Sequence, residues 1–511
     1  MVKGTKKYNL SIIIQAQNEE NTIKRIIKEL IRLNPHEIIV VINGSTDRTS
    51  KIVKGLNCIV LEYESALGIN VGKALGAYEA TGDILLFLDG DIFIESVQLS
   101  QFVKAIMKGY DVVLNNLDWT IFRENHFPTA ICKRALNIFL KREDLLVNSL
   151  GAIPNAMSKN ALDKIGWWNL VDPPLSQTIG ITQNLLFTSP EPVDVISSNP
   201  FRPKEHKMKA RNSPFPNSTS RIIGDHVEAL HYLRQLKGFR AGFHDGRNRE
   251  KLSNIHPLNN VRKNKRSIVI TCEGKTRGLL NVIKELQLIS DEIIVAGYGL
   301  SKRMIKFAKN TGAKVINQEK SLGINASRSI GAARSSGDAI FFTDCNTRIN
   351  KEEAEPFFEA IENGTEIALT NAEHLITDII PIDSINTIKY FLNLVCKNPE
   401  LKNASLYSLP HAIHRRVIEQ IGWDKLTIPP LFFIMSEMKG FSIIAEQKIV
   451  IKTSHEITTG NIHGSDKYRA LEVFLGDHIE ALDYYIRHTN KRGGYLDGNK
   501  DRKIIRRLKN R

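Results

Sequence analysis

Residues 81–91 read TGDILLFLDGD, an apolar strand that ends on two aspartates one residue apart, and residues 336–346 read SGDAIFFTDCN. Only the first copy keeps both carboxylates. The run Ile84, Leu85, Leu86, Phe87, Leu88 has no polar alternation, which suits the centre of a parallel sheet covered on both faces. Open α/β sheets bind ligands outside the carboxyl ends of their strands. Two carboxylates there, Asp89 and Asp91, suit a hard divalent cation that also holds substrate phosphates. As a structural feature alone, two acids closing a buried strand repel each other.

The duplication extends along the whole chain. IIKEL (26–30) matches VIKEL (282–286), LGIN (67–70) recurs at 322–325, and IGWWNLVDPPL (165–175) matches IGWDKLTIPPL (421–431). GDHVEAL (224–230) matches GDHIEAL (476–482), and FHDGRNREK (243–251) matches YLDGNKDRK (495–503), all at offsets of 252 to 256 residues. So long a period is a duplicated domain rather than a solenoid. The polar, basic stretch 259–266 is the expected boundary, giving domains 1–260 and 264–511. Each is large enough to close its own core.

Within the first repeat the expected order is strand 10–15, helix 20–33, strand 37–42, helix 47–55, strand 58–61, helix 71–80 and strand 84–88. Strands alternating with helices imply a mainly parallel sheet. The loops QAQNEE (15–20), NGSTDRT (43–49) and GINVGKA (68–74) should then gather along one edge with Asp89 and Asp91. Lys73, in the first turn of its helix, would face phosphates together with the helix dipole. Bland readings stand beside these. Asn18 or Asn21 could cap helix one, Asp47 and Thr49 could start helix two, and Lys73 could be a solvated lysine.

Composition limits the classes. The chain is 42% hydrophobic with no apolar run approaching a membrane span, and five scattered cysteines form no C-x-x-C pair, so a reducing cytoplasm is expected. The net charge of +15 raises anionic partners, but no nucleic-acid-binding motif is present, and no nucleic-acid partner is expected. Basic residues cluster at Arg202, Lys204, Lys207, Lys209 and Arg211, and in the tail 500–511. The tail reads as a solvated basic face, with peripheral contact to an anionic membrane as the alternative.

QNEE, NGSTDRT, LGINVGKALGAYEATGD and LDGD, in this order over the first hundred residues, resemble the family 2 glycosyltransferases with the GT-A fold. The resemblance implies two tandem GT-A-like, Rossmann-like domains. It implies a nucleoside-diphosphate-sugar donor, uridine ahead of guanosine, lying across Gln17, Asn18, Glu19, Asn43, Gly44, Ser45, Gly72, Lys73, Asp89 and Gly90. It also implies Mn²⁺ or Mg²⁺ held by Asp89 and Asp91, with catalysis resting on these two and Lys73. A histidine often completes the metal shell in such folds. His226 in GDHVEAL is preferred here, with His206 in RPKEHKMKAR as the alternative, although Asp225 and Glu228 around His226 fit a D-x-x-E capping box.

Ile42 and Asn43 stand where many members carry an aspartate pair, leaving the base open, and Asp172 and Asp194 are the acids available as a general base. The second repeat, with NASRS for NVGKA, TCEGKT for QAQNEE and DCN for DGD, is expected to be catalytically silent. It would be kept for acceptor binding, homodimerisation or support of the first. The acceptor is open, a cell-surface glycan among the candidates. The rival function is a non-catalytic glycan- or protein-binding scaffold.

Overall fold

The computed structural model describes residues 8–122, 127–257, 264–273, 278–446 and 464–510. Most of the expected boundary stretch, and residues 274–276 of TCEGKT, lie outside the described residues.

The first sheet has strands β1 (Leu10–Ala16), β2 (Glu37–Asn43), β3 (Ile59–Tyr63), β4 (Ile84–Asp89), β5 (Val112–Val113), β6 (Asn155–Ser158) and β7 (Phe187–Thr188). Their order is β3-β2-β1-β4-β6-β5-β7. β1 lies parallel to β2 and β4, and β2 to β3, whereas β6 runs antiparallel to β4 and β5. The apolar run explains itself in the packing. Ile12, Ile14, Leu86 and Leu88 face one helical layer, and Ile13, Leu85 and Phe87 face the other. Alternate side chains leave opposite faces of a strand, so a strand covered twice needs apolar residues throughout.

The second sheet repeats the plan with β8 (Asn264–Glu273), β9 (Glu292–Tyr298), β10 (Lys314–Gln318), β11 (Gly337–Asp344), β12 (Ile367–Thr370), β13 (His411–His414) and β14 (Ile443–Glu446). Their order is β10-β9-β8-β11-β13-β12-β14. Both sheets have the mainly parallel α/β architecture expected of tandem GT-A-like domains. Among the described residues no helix is long and apolar enough to cross a membrane.

The compact units divide differently from the repeats. One comprises residues 1–233 with 489–511, the other residues 234–488. The segment 489–510, second-repeat in sequence, packs within the first unit, and 234–257, first-repeat in sequence, within the second. Buried ion pairs hold both exchanged segments. GDHVE lies inside the helix Asn217–Lys237 rather than at its start, so Asp225 and Glu228 are not its capping box. Arg492 Nη1 bonds Asp225 Oδ1 at 2.6 Å and Glu228 Oε2 at 3.0 Å, and Lys500 Nζ bonds Asp225 Oδ1 at 2.8 Å. In the second unit Arg240 Nη1 bonds Asp477 Oδ1 at 2.9 Å and Glu480 Oε2 at 2.8 Å. Acids so deeply buried need charged partners. Burial opposes ionisation of Glu228, but Arg502, Lys491 and Arg492 hold its carboxyl down at about 2.

The tail is therefore not simply a solvated basic face. Lys500 and Arg502 are consumed in these pairs, while Lys503, Arg506, Arg507 and Lys509 are exposed.

Helix one also differs in detail from the sequence expectation. It spans Ile23–Leu30 and its N-cap is Thr22, which makes no side-chain cap bond, so neither Asn18 nor Asn21 caps it. Helix two does start at Thr49, with Asp47 Oδ1 accepting from the Thr49 amide at 2.9 Å.

Candidate functional site

The strand register assembles the site. Gln15 at the end of β1 is paired in register with Asp89 at the end of β4, and its Nε2 donates to Asp89 Oδ1 at 2.8 Å. Lys73, in the first turn of the helix Val71–Glu79, brings Nζ to 3.5 Å from the same oxygen with a side chain only 7% exposed. It is a buried cation facing the acids, not a solvated lysine. Asp91 is 9% exposed and receives Arg202 Nη2 on Oδ2 at 2.5 Å. Its Oδ1 is buried without a hydrogen-bond partner, as is Gln15 Oε1. An orphaned carboxylate oxygen is costly unless something else takes it up.

Glu19 joins this group. Its Oε1 lies 3.5 Å from Arg202 Nη2. Burial first, and the neighbouring Asp91 second, push its carboxyl up to about 7. Beyond β1 and β4, Lys73 thus pairs with Asp89, and Arg202 lies between Asp91 and Glu19.

The remaining expected donor residues shape the loops. Asn18, at φ 60°, accepts from the Thr46 amide on Oδ1 at 2.7 Å, and its own amide donates to Ser45 Oγ at 3.1 Å. These bonds tie the first loop to the second. Gln17 is exposed. Asn43 is buried, accepting from the Leu67 amide at 2.5 Å and donating to Gly68 O at 3.2 Å. Gly44 has φ +68°, and a Cβ there would lie 2.4 Å from Ala66 N. At Gly72 a Cβ would meet Gln15 Cβ at 3.1 Å, and at Gly90 it would meet Ala16 Cβ at 3.1 Å. Both glycines permit close packing of the protein on itself.

Neither histidine is brought to the acids as a third ligand. Among the described residues no three His, Cys, Asp or Glu side chains gather as a metal shell. His226 is buried, its Nδ1 is 2.7 Å from Ile222 O, and burial lowers its pKa to about 4. His206 Nδ1 accepts from the Arg202 amide at 3.0 Å, so it orders the short helix Pro203–His206 that follows Arg202. Asp172 and Asp194 are engaged elsewhere. Asp172 Oδ1 caps the helix Pro173–Thr182 through the Leu175 amide, and Asp194 holds the turn at Ile196 and Ser197.

The donor set fits a divalent cation. Two hard carboxylates close β4, Asp91 Oδ1 is buried without a hydrogen-bond partner, and an arginine supplies positive charge to its other oxygen. Arg202 is the residue whose place in the site the sequence did not disclose; only its membership of a basic cluster was visible. Gln15 stood in the quoted loop, but nothing in its type marked it ahead of Gln17.

The second unit differs at each matching position. Asp344 Oδ1 accepts from the Asn346 and Thr347 amides at 2.7 and 2.9 Å, and its Oδ2 from Thr347 Oγ1 at 2.6 Å, so the carboxylate is satisfied by its own turn. The positive charge is retained. Arg328 occupies the position of Lys73, buried, with Nη1 donating to Leu406 O at 2.5 Å. It lines a cleft of about 230 Å³ with Thr271, Asn325, Asp344 and Asn346.

The sequence profile of glycosyl transferase family 2 matches residues 11–165 and 267–415, more than half of the chain. A glycosyltransferase, AglE of Haloferax volcanii, is 26% identical over 172 residues, 29% of this chain and 56% of that one. The undecaprenyl-phosphate 4-deoxy-4-formamido-L-arabinose transferase of Pectobacterium carotovorum is 25% identical over 149 residues, 26% of this chain and 43% of that one. The chain thus spans about half the length of these relatives. Among solved structures, glucosyl-3-phosphoglycerate synthase from Mycobacterium tuberculosis, crystallised with Mn²⁺, UDP and phosphoglyceric acid, aligns with a TM-score of 0.30 and 18% identity. That alignment covers 36% of this chain and 68% of that one.

Proposed function

The chain belongs to glycosyl transferase family 2, and from that premise we propose that its N-terminal repeat moves a sugar from a nucleoside diphosphate, uridine ahead of guanosine, to an acceptor hydroxyl or phosphate. The observation that carries this reading is the carboxylate pair closing β4, with Lys73 on Asp89, Arg202 on Asp91 and one buried Asp91 oxygen unpartnered. A non-catalytic scaffold has no need to hold such a group at the end of its central strand.

Asp89 and Asp91 would hold the metal, Mn²⁺ or Mg²⁺, which when bound would offset the charge of the diphosphate as it leaves. Gln15 fixes the Asp89 carboxylate. Lys73 and the amino end of its helix present positive charge to the phosphates, in a fixed arrangement that needs no reorganisation as charge develops. Arg202, 46% exposed on its loop, is placed to exchange Asp91 for a phosphate oxygen when donor and metal arrive. Near neutral pH Glu19, its carboxyl pushed up to about 7 by burial and then by Asp91, is only partly ionised.

The bond from the sugar's anomeric carbon to the diphosphate breaks, and the acceptor oxygen takes its place on that carbon. Asp172 and Asp194, engaged in local structure, are assigned no part in removing the acceptor proton. Action on a lipid phosphate or cell-surface glycan, at the cytoplasmic face of a membrane, is the setting we favour. The exposed basic residues of the tail and the name of the undecaprenyl-phosphate relative support it.

A panel of UDP-, GDP- and dTDP-sugars with Mn²⁺, read by donor hydrolysis and thermal shift, tests the reading. A metal-dependent response to one nucleotide is expected, and a flat response to all would favour the scaffold.

A further inference from the structure

The loop that leads into Lys73 is held from two sides. On one side stands Asn43, bonded to the Leu67 amide and the Gly68 carbonyl. On the other lies the chain's own C-terminal segment. The Asp501 amide donates to Leu67 O at 2.7 Å. Gly68 has φ +87°, and a Cβ there would lie 2.7 Å from Asn499 O and 2.8 Å from Lys500 Cα, so the two backbones are in direct contact.

From this clamp the chain passes through Asn70, left-handed at φ 65°, into the helix Val71–Glu79, where Lys73 faces Asp89. The following helix, Arg502–Lys509, packs Ile504, Ile505 and Leu508 into the apolar cluster that holds Val71, Ala74 and Leu75. The clamp is pinned by Lys500, whose fully buried ammonium reaches Asp225, and by Arg502 on Glu228 at 2.9 and 3.0 Å.

The second unit shows the same construction with the segments exchanged. The Asn248 amide donates to Leu322 O at 3.1 Å and Arg247 Nε to Ile324 O at 3.1 Å. Arg247 is pinned to Asp477 at 2.6 and 2.8 Å. That clamp leads into Arg328. Each unit's cation-bearing helix is therefore seated by a segment that the repeat pattern assigns to the other copy.

We propose that residues 489–510 are a positioning element of the N-terminal site, and that Lys500 is a positioning residue which fixes the 67–70 loop and, through it, Lys73. The proposal rests on the reading that this unit transfers sugar. It gives the second repeat a duty that its own altered acids do not: it delivers the segment that completes the first site. It also accounts for the two GDH-x-E motifs, whose acids are sockets for the exchanged segments.

The test uses the full-length protein. In Lys500→Met, kcat/KM for the donor should fall by about a hundred-fold, the scale of a displacement near 1 Å at a charged group. Lys500→Arg should restore part of it. In a double-mutant cycle with Lys73→Gln, Lys500→Met should have far less effect than in the parent, because the two act through one group. Arg247→Met, the matching change in the second unit, should leave donor kcat/KM unaltered. Additive effects in the cycle, or an equal loss in Arg247→Met, would show general destabilisation and overturn the proposal.

If Lys500→Met does not fold, Asp501→Ala carries the same cycle, since it loosens only the cap of the terminal helix, where Asp501 accepts from the Lys503 and Ile504 amides. Amide hydrogen exchange separates this idea from the donor reading. Exchange at residues 67–73 should quicken in Lys500→Met while the first sheet stays protected, whether or not any donor is turned over. Unchanged exchange there would overturn the proposal, whereas a parent without transfer activity would refute the donor reading alone.

Discussion

Replacing Glu19 by glutamine should stabilise the N-terminal unit at pH 8 and do much less at pH 5. Glu19 sits beside Asp91, and burial followed by that neighbouring charge raises its carboxyl from 4.5 to about 7. A carboxyl raised on folding keeps its proton longer in the folded state, so stability is lost as pH rises from 4.5 through about 7. At about 1.4 kcal/mol per pH unit the undiscounted loss at pH 8 would be about 3.5 kcal/mol, and solvent screening of a half-buried group brings it to about 1–2 kcal/mol. Glutamine has no proton to lose. The variant should therefore exceed the parent by about 1–2 kcal/mol at pH 8 and by only a few tenths of that at pH 5, where the loss has just begun.

Urea unfolding followed by tryptophan fluorescence reads this unit well, since Trp119, Trp167 and Trp168 belong to it and Trp423 to the other. Mn²⁺ added at pH 8 should shrink the difference, because a cation among the acids relieves the repulsion that the substitution removes. An equal change at pH 5 and pH 8 would mean that the Glu19 carboxyl is not raised on folding. A difference at pH 8 that Mn²⁺ leaves untouched would mean that no cation enters among the acids.

Arg202→Gln should bind Mn²⁺ a fewfold more tightly without nucleotide, since a competing and half-exposed ion pair worth at most about 1 kcal/mol is lost. It should also raise KM for the donor, as titration calorimetry and initial rates would show. Asp344→Asn should leave the transfer rate within error of the parent. It should lower the melting temperature of the second unit only slightly, because it weakens turn bonds worth about 1 kcal/mol each; a large loss of rate with normal folding would mean that the second site works.

What the sequence made legible follows from how local each signal is. Asp89 and Asp91 could be found because an uninterrupted apolar strand and its terminal acids are adjacent in the chain. Lys73 and the loops at 15–20 and 43–49 follow from strand–helix alternation, which fixes the edge at which loops gather. Arg202 could not be placed: it meets Asp91 across a separation of 111 residues, from a Pro- and Asn-rich loop without periodicity. The D-x-x-E spacing of Asp225 and Glu228 fits a helix cap in any local reading. Their true partners, Arg492, Lys500 and Arg502, lie 264 to 275 residues away.

The exchange of terminal segments was hidden for a related reason. Two copies of a motif and two copies of its socket can pair within or across repeats, and the sequence is the same either way. The change from GK to SR reads as loss of the loop, although Arg328 keeps the charge.

On the proposed reading, Asp89 and Asp91 hold a divalent cation against a sugar-nucleotide diphosphate. Its most direct test is calorimetric titration of UDP into the parent and into Asp91→Asn, with Mn²⁺ and then with EDTA, checking by circular dichroism that the variant folds. Asp91→Asn removes a ligand while relieving repulsion between acids, so the fold should hold, and binding that depends on Mn²⁺ in the parent should vanish in the variant. Equal nucleotide affinity in parent and variant, or binding in the parent indifferent to EDTA, would mean that the two aspartates hold no metal for the nucleotide.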